Sequence, residues 1–207
     1  MYARTTTVRG DPRAVDDGVA FTRSELWPRI ERMDGCIGMS MLADREAGRC
    51  ILTSAWAGED ALRASADEVG DLRRQVAEVM RAETVDIAEW EIAVLHRMRP
   101  AGDAACVRGT WLDVPAGHVD EMVDAVRMSL LPRLEDLPGF CSVSLLVDRL
   151  GSRGVAAVTY ADRAAIERTR DQGAALREEL SRATGSTVTE VAEFDLAMAH
   201  LHVPEMA

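Results

Sequence analysis

The sequence predicts an α+β protein made of two copies of one β-α-β-β-α-β unit, packed as a pseudo-two-fold α+β barrel. Three observations support this prediction. The chain matches itself without a gap at an offset of 104 positions, as from Asp44 to Asp148. Each half alternates strand-like and helix-like periodicity in the same order. The last strand of each half is apolar on both faces, so a second layer must cover it.

The internal repeat is clearest in two nonapeptides near the ends of the halves. AEWEIAVLH occupies 88–96, and AEFDLAMAH occupies 192–200. The match begins at Arg4 and Arg108 and runs through these segments, which is too long for chance. We therefore divide the chain into repeat 1 (1–97), a linker containing Pro and Gly (98–104) and repeat 2 (105–207).

The first helix and its flanking strands follow from local patterns. YARTTTVR and CVRGTWLD are β-prone openings of the two repeats. Val15, Val19 and Leu26 then recur at helical spacing, after Asp11 and Pro12 as helix cap and first turn. CIGMSML and FCSVSLL alternate at period two, which indicates the second strand.

The second half of each unit is equally regular. ADREAGR is a hairpin turn, and CILTSAW returns as the third strand. A second helix runs from about Glu59 to Arg81, and VDIAEWEIAVLH closes the unit as a strand. This order is ferredoxin-like, with the helices on one face of a four-stranded antiparallel sheet.

Strand parity predicts where a small molecule would bind. We assign Ile37, Met39 and Met41 to the helix side of the sheet, and Ser40 to the barrel centre. The matching row in repeat 2 consists of Cys141, Val143 and Leu145, with Ser144 opposite. Small residues at the centre let sheets approach closely, whereas methionines can re-pack around a guest. We expect one site between helices and sheet, in one repeat only.

Composition excludes several classes of function. The net charge of −11 argues against a nucleic-acid partner, because phosphates need a basic face. There is neither an apolar run long enough for a membrane helix nor a signal-peptide core, so we expect a cytoplasmic protein. The sequence has no lysine, which excludes Schiff-base and P-loop lysine chemistry. The four cysteines form no CxxC pair, and we expect them to be reduced.

A family resemblance rests on DGCIGMSMLADREAGRCILTSAWAGEDALRAS, residues 34–65. This stretch resembles the centre of the antibiotic biosynthesis monooxygenase (ABM) family, in the dimeric α+β barrel superfamily. The shared elements are Gly35, the Asp44-Arg45 hairpin and Trp56, and repeat 2 matches through Gly139, Asp148-Arg149 and Tyr160. In single-copy relatives two chains form the barrel. The resemblance therefore implies a monomeric pseudo-dimer, or a homodimer of it.

The resemblance also implies a choice of chemistry, since the family includes cofactor-independent oxygenases of polyphenols and quinols as well as haem-degrading enzymes. Many members have a histidine nine residues after the tryptophan, where this chain has Ser65 and Thr169. Haem-degrading members use a second-helix histidine and a first-strand asparagine. Both second helices lack histidine, and the chain has no asparagine. We therefore expect no haem degradation, no bound metal and no cofactor.

Two functions remain open. The first is a cofactor-independent monooxygenase acting on a small aromatic, polyketide-like or quinol substrate, which needs a cavity of about 300 Å³ or more. The second is a non-catalytic small-molecule-binding or stress-associated barrel. Under the first hypothesis, the candidate substrate-binding residues are Trp56, Arg23 and Thr6 in repeat 1 and Tyr160, Arg127 and Thr110 in repeat 2.

Two histidines and several arginines have alternative interpretations. His96 and His200 end equivalent strands and could act as acid or base, or could simply bond a backbone group or a carboxylate. His200 with His202 is a weaker candidate for a metal site. The recurring arginines could bind an anionic or phenolic substrate, or form internal salt bridges with partners such as Glu89 and Glu193.

Overall fold

The computed structural model describes residues 1–201, and Leu201 is described by its backbone alone. Repeat 1 consists of β1 (Tyr2–Arg9), α1 (Val15–Phe21), α2 (Trp27–Ile30), β2 (Cys36–Asp44), β3 (Arg49–Trp56), α3 (Glu59–Ala64), α4 (Ala66–Val79) and β4 (Thr84–Arg97). Repeat 2 consists of β5 (Cys106–Asp113), α5 (Val119–Ala125), α6 (Leu131–Glu135), β6 (Phe140–Asp148), β7 (Arg153–Tyr160), α7 (Arg163–Arg168), α8 (Arg170–Thr184) and β8 (Thr187–Leu201). The predicted β-α-β-β-α-β order is confirmed in both repeats.

The strands hydrogen-bond in the order β1-β3-β2-β8-β5-β7-β6-β4 and close into a barrel. Neighbouring strands pair antiparallel, and the β1–β3 and β5–β7 registers are equivalent. Tyr2 lies opposite Trp56, and Cys106 lies opposite Tyr160. The predicted α+β barrel of two ferredoxin-like repeats is confirmed.

The compact units of the structure differ from the repeats at the last strands. Unit 1 contains residues 1–90 and 196–201, and unit 2 contains residues 91–195. Strands β4 and β8 therefore each begin in one unit and end in the other. The core of unit 1 includes Ala197 and Met198, and the core of unit 2 includes Ala93 and Val94. Each unit thus completes its core with the strand end of the other repeat.

The first helix of each repeat is interrupted where proline removes a backbone donor. A π-helical turn spans Thr22–Leu26 before α2, and its equivalent spans Val126–Leu130 before α6. Pro28 cannot donate to a carbonyl in the preceding turn. The Trp27 amide bonds back to the Thr22 carbonyl, five residues earlier. The sequence pattern predicted one uninterrupted helix here, because apolar spacing does not register the missing donor.

The second helix is likewise broken, between α3 and α4 in repeat 1 and between α7 and α8 in repeat 2. Ser65 occupies the first break, and its hydroxyl donates to the Leu62 carbonyl at 2.8 Å. Thr169 occupies the second break and donates to the carbonyls of Ala165 and Ile166. Side-chain bonds of this kind compete with the helical ladder. The breaks therefore fall at Ser65 and Thr169.

A β-bulge near the start of β2 and another near the start of β6 make part of the predicted apolar row wrong. Met39 and Met41 lie in the helix-side core, as expected. The register shifts between Cys36 and Gly38, so Cys36 rather than Ile37 packs against that core. The same shift in β6 brings Phe140, rather than Cys141, to the helix side. Simple alternation failed because a bulge reverses the parity of all residues on one side of it.

All four cysteines are free, as expected. Burial raises the pKa of the Cys50 thiol to about 12. Among the helices of residues 1–201, none is both long and apolar enough to cross a membrane.

Gly35 and Gly139 provide a stability test of the repeat geometry. Both have positive φ, +76° and +83°, and a Cβ would meet the Cβ of Ala61 or Ala165 at 2.5 Å. We expect Gly35→Ala and Gly139→Ala each to lower the free energy of unfolding by roughly 2 kcal/mol, through backbone strain and overpacking. Urea titration measures the effect. Gly102→Ala is the control because nothing lies within 4 Å of its added methyl, and equal stability of all three variants would contradict the prediction.

Candidate functional site

A small cavity lies between the helices and the sheet of unit 1. Its volume is about 20 Å³, which accommodates one water-sized guest. The apolar part of its wall comes from both helices and from two strands, through Leu26, Ile30, Met39, Leu52, Val69 and Val76. The polar part consists of Arg4, Thr6, Ser54 and Arg73. The cavity lies on the helix side of the sheet, and binding of a small molecule there stays a prediction.

Arg4 is the central polar group of this wall, and its side chain is only 4 % exposed. Its Nε and Nη2 both donate to Glu89 Oε1, at 3.0 and 2.8 Å. Its Nη2 also donates to the Leu62 carbonyl at 2.8 Å, and its Nη1 donates to Ser65 Oγ at 3.1 Å. The internal salt bridge considered from the sequence is therefore present. It connects β1 to β4 and to the break in the second helix.

Trp56 is fully buried and is hydrogen-bonded to a serine of the cavity wall. Its Nε1 donates to Ser54 Oγ at 3.1 Å. Ser54 and Trp56 are two residues apart on β3, so they share a face of the sheet. Thr6 is also buried and lines the cavity directly. Two of the predicted site residues, Thr6 and Trp56, thus belong to the cavity or to its immediate support.

The cavity wall carries more positive than negative charge. Arg73 lines it together with Arg4, and Arg73 makes no ion pair with any residue in 1–201. Burial lowers the pKa of the Arg73 guanidinium, nearby Arg4 lowers it further, and Glu89 opposes the shift. Two guanidiniums facing one carboxylate favour an electron-rich oxygen in the cavity.

Unit 2 repeats the buried arginine with different partners. Arg108 donates to Glu193 Oε1 through Nε at 3.2 Å and through Nη2 at 3.0 Å, and Nη2 also donates to the Ile166 carbonyl. The Arg108 guanidinium carbon lies 5.7 Å from the ring centroid of Tyr160, which is fully buried. Thr110 is buried on the same strand. The predicted residues Tyr160 and Thr110 thus accompany Arg108.

Arg23 and Arg127 lie on the π-helical turns, and each guanidinium binds a strand carbonyl. Arg23 Nη2 donates to the Ala197 carbonyl, and Arg127 Nη2 donates to the Ala93 carbonyl at 2.6 Å. Arg23 is not among the residues that line the cavity. These arginines attach the first helix to the strand end supplied by the other repeat. Their role in substrate binding stays a prediction.

The two strand-end histidines have different surroundings. His96 Nε2 lies 2.7 Å from Glu135 Oε1, an ion-pair distance without hydrogen-bond alignment. His200 is exposed and stacks on Trp27, with ring centroids 5.0 Å apart. Neither is among the residues that line the cavity of unit 1. His202, the other half of the weak metal hypothesis, lies outside the described residues, and an acid–base role for either histidine stays a prediction.

The sequence reasoning missed the supporting polar groups. Ser54 and Ser65 were not proposed as site residues, although Ser54 lines the cavity and Ser65 binds Arg4. The two-residue spacing from Trp56 is a signal that could have identified Ser54. Ser65 had been noted only for the histidine that it replaces, because its contact with Arg4 spans 61 positions in the chain.

Sequence comparison relates the whole chain to two mycobacterial proteins. The uncharacterized protein Rv2557 of Mycobacterium tuberculosis is 45 % identical over 206 residues, covering 100 % of this chain and 92 % of its own length. Rv2558 of the same organism is 44 % identical over 207 residues, covering 100 % and 87 %. The chain belongs to the Rv2557/Rv2558 family. No protein-family model matches the chain.

Comparison with solved structures shows that this chain has a tandem-duplicated ABM-like fold. A protein from Lactobacillus acidophilus NCFM, provisionally named a monooxygenase, has a TM-score of 0.70 at 12 % identity, covering 97 % of this chain and 96 % of its own. An anthrone oxidase-like protein has a TM-score of 0.68 at 13 % identity, covering 100 % and 95 %. A ferredoxin-fold protein from Listeria monocytogenes, related to antibiotic biosynthesis monooxygenases, scores 0.54 at 8 % identity, covering 94 % of each chain. At these identities the likeness concerns the fold alone.

The Trp56–Ser54 bond is testable by a double-mutant cycle. Ser54→Ala leaves the buried indole N–H without its acceptor, and we expect a loss of roughly 1–3 kcal/mol in the free energy of unfolding. Trp56→Phe removes the donor, so adding Ser54→Ala to it should cost less than Ser54→Ala alone. Urea unfolding of the four proteins gives the coupling energy. Strict additivity would mean that the bond contributes nothing.

Proposed function

We propose that this protein is a cofactor-independent monooxygenase of the ABM type, acting on a small aromatic or polyketide-like molecule with an acidic C–H or hydroxyl group. The observation that carries the proposal is the polar wall of the unit 1 cavity. Arg4 and Arg73 converge there with the hydroxyls of Thr6 and Ser54, opposite an apolar surface. A flat, weakly acidic molecule matches such a site, with its oxygen toward the guanidiniums.

The two guanidiniums would stabilise the deprotonated form of the substrate. Lowering the substrate pKa by nearby positive charge follows the same rule that governs side chains. No carboxylate or imidazole is among the residues lining the cavity, so the proton passes to solvent. The resulting enolate or phenolate is electron-rich and can reduce dioxygen itself.

The proposed reaction balances without a further reductant. A substrate CH₂ group loses one proton, and the anion transfers one electron to O₂, which gives a carbon radical and superoxide. These combine into a C–O bond and form a peroxide. The O–O bond then breaks as the second hydrogen leaves carbon, giving a C=O group and one water. The protein contributes orientation and charge stabilisation.

Arg73 provides the decisive variant. We expect Arg73→Gln to lower the rate of oxygen uptake with anthrone, which has the required CH₂ group, by at least about tenfold, because a charge-stabilising donor is lost. Oxygen uptake and product formation should be equal in moles. Arg74→Gln is the control, since Arg74 is exposed on the same helix and pairs with Asp71 at 3.0 Å. Equal rates in both variants, or no oxygen uptake with any phenolic probe, would refute the oxygenase proposal.

The volume of the cavity favours a second candidate, a non-catalytic binding protein. The oxygenase interpretation needs about 300 Å³, and the cavity has about 20 Å³. A phenol could enter only if side chains such as Met39 re-pack, which methionine does readily. Thermal stabilisation by anthrone without oxygen uptake would support this second function over the first.

Met39→Ala tests whether volume limits binding. The truncation should cost roughly 2–5 kcal/mol of the free energy of unfolding, because a buried side chain is lost. Phenol should then raise the melting temperature of Met39→Ala more than that of the parent protein. Val143→Ala, at the equivalent position of unit 2, is the matched control. If phenol stabilises all three proteins equally, the guest does not occupy the unit 1 cavity.

A further inference from the structure

Unit 2 concentrates arginine around a single glutamate. The distances from the guanidiniums to the Glu193 carboxylate are 3.0 Å for Arg108, 3.5 Å for Arg163 and 3.8 Å for Arg170. Repeat 1 has Glu59 and Ala66 at the positions of Arg163 and Arg170. Arg163 also forms an ion pair with Asp195, with Nη2 at 2.7 Å from Oδ1. The two additional arginines near Glu193 are therefore specific to unit 2, in a chain whose net charge is −11.

A glycine lets two of the guanidiniums converge. A Cβ at Gly173 would lie 2.8 Å from Arg108 Nη1 and 3.3 Å from Arg177 Nη1. Repeat 1 has Val69 at this position, and its side chain lines the unit 1 cavity. The side chain that fills this place in unit 1 is thus absent from unit 2, where two cationic groups approach the same point.

One nitrogen of the Arg108 guanidinium, Nη1, lacks a hydrogen-bond partner. Arg108 is 3 % exposed, and its Nη1 is buried without a hydrogen bond to any described residue. In unit 1 the equivalent atom of Arg4 donates to Ser65 Oγ. Thr169 replaces that serine, and its hydroxyl donates to two backbone carbonyls instead. An unsatisfied buried donor on a charged group costs free energy, so the site favours an acceptor.

The charge of Arg108 disfavours the charged form of the second guanidinium, that of Arg177. Arg177 forms no ion pair with the described residues, and it lies half-buried on α8. Burial lowers the pKa of Arg177, and the charge of Arg108 lowers it further, against the opposing effects of Tyr160, Glu193 and Glu178. A negative charge between the two guanidiniums would relieve both effects.

We propose that unit 2 holds a binding site for the carboxylate of a small organic acid, between Arg108 Nη1 and Arg177 Nη1 over Gly173. A carboxylate has two oxygens in one plane, which suits two guanidinium donors that converge from different sides. The centroid of the buried Tyr160 ring lies 5.7 Å from the Arg108 guanidinium carbon, and the ring supports that side chain. This site is separate from the unit 1 cavity and does not depend on the oxygenase proposal.

Isothermal titration calorimetry of the full chain tests the site, with sodium acetate and sodium benzoate as probes at constant ionic strength. We expect saturable binding at one site per chain. Arg177→Gln should weaken it about tenfold, because one charged hydrogen bond is lost. Gly173→Ala should weaken it at least as much, because the added methyl occupies the space at Nη1 while both arginines remain. Arg182→Gln, an exposed position on the same helix, is the matched control and should bind like the parent.

Three results would overturn the proposal. They are the absence of saturable binding by either acid, unchanged affinity in Arg177→Gln, and displacement of acetate by an equal concentration of chloride. The last result would mean that the arginines attract any anion without recognising a carboxylate. If Gly173→Ala fails to fold, Arg177→Gln with its Arg182→Gln control still decides the outcome.

Discussion

The rest of the structure depends on the hydrogen bonds made by one buried arginine at the start of each repeat. A guanidinium removed from water must find acceptors for its donors, or it destabilises the fold. Arg4 obtains them from Glu89 on the last strand and from Leu62 and Ser65 at the helix break. One side chain thereby sets the relative position of three elements that are far apart in sequence. Arg108 does the same in unit 2 through Glu193 and Ile166.

The two repeats differ in the polar groups around these arginines. Ser54, Ser65 and Val69 of repeat 1 correspond to Val158, Thr169 and Gly173 of repeat 2. Unit 1 keeps hydroxyls at its cavity, and every nitrogen of its buried arginine is hydrogen-bonded. Unit 2 has lost a hydroxyl at one position and gained two arginines nearby. The same backbone therefore presents two different chemical environments, which is the usual way in which one fold supports several functions.

Most of the fold was predictable from the sequence, because an internal repeat and regular apolar spacing are local signals. The order of elements, the barrel and the helix-side location of Met39 and Met41 followed from them. The π-helical turns, the bulge at Cys36 and the break at Ser65 did not follow. Each depends on one missing donor or one side-chain bond, which hydrophobic periodicity does not record.

The candidate site was predictable only in part. Thr6 was proposed as a small polar group on the first strand; it lines the cavity, and its role in substrate binding stays a prediction. Arg23 recurs in both repeats just as Arg4 does, and sequence alone does not distinguish them. The structure separates the two, since Arg4 faces the cavity and Arg23 binds the Ala197 carbonyl. The contacts of Arg4 join residues 58 to 85 positions apart, and no local pattern encodes such contacts.

The end of β8 belongs to the core of unit 1, and this has a consequence for the order in which the units are synthesised. Ala197 and Met198 complete the core of unit 1, yet the ribosome adds them only after residues 91–195 of unit 2. During translation the N-terminal repeat emerges first, but it lacks these residues and the carbonyl that Arg23 binds. The described residues of unit 2 are 91–195, and the ribosome adds all of them before Ala197 and Met198. The described part of unit 2 is therefore complete before that of unit 1, although repeat 1 is translated first.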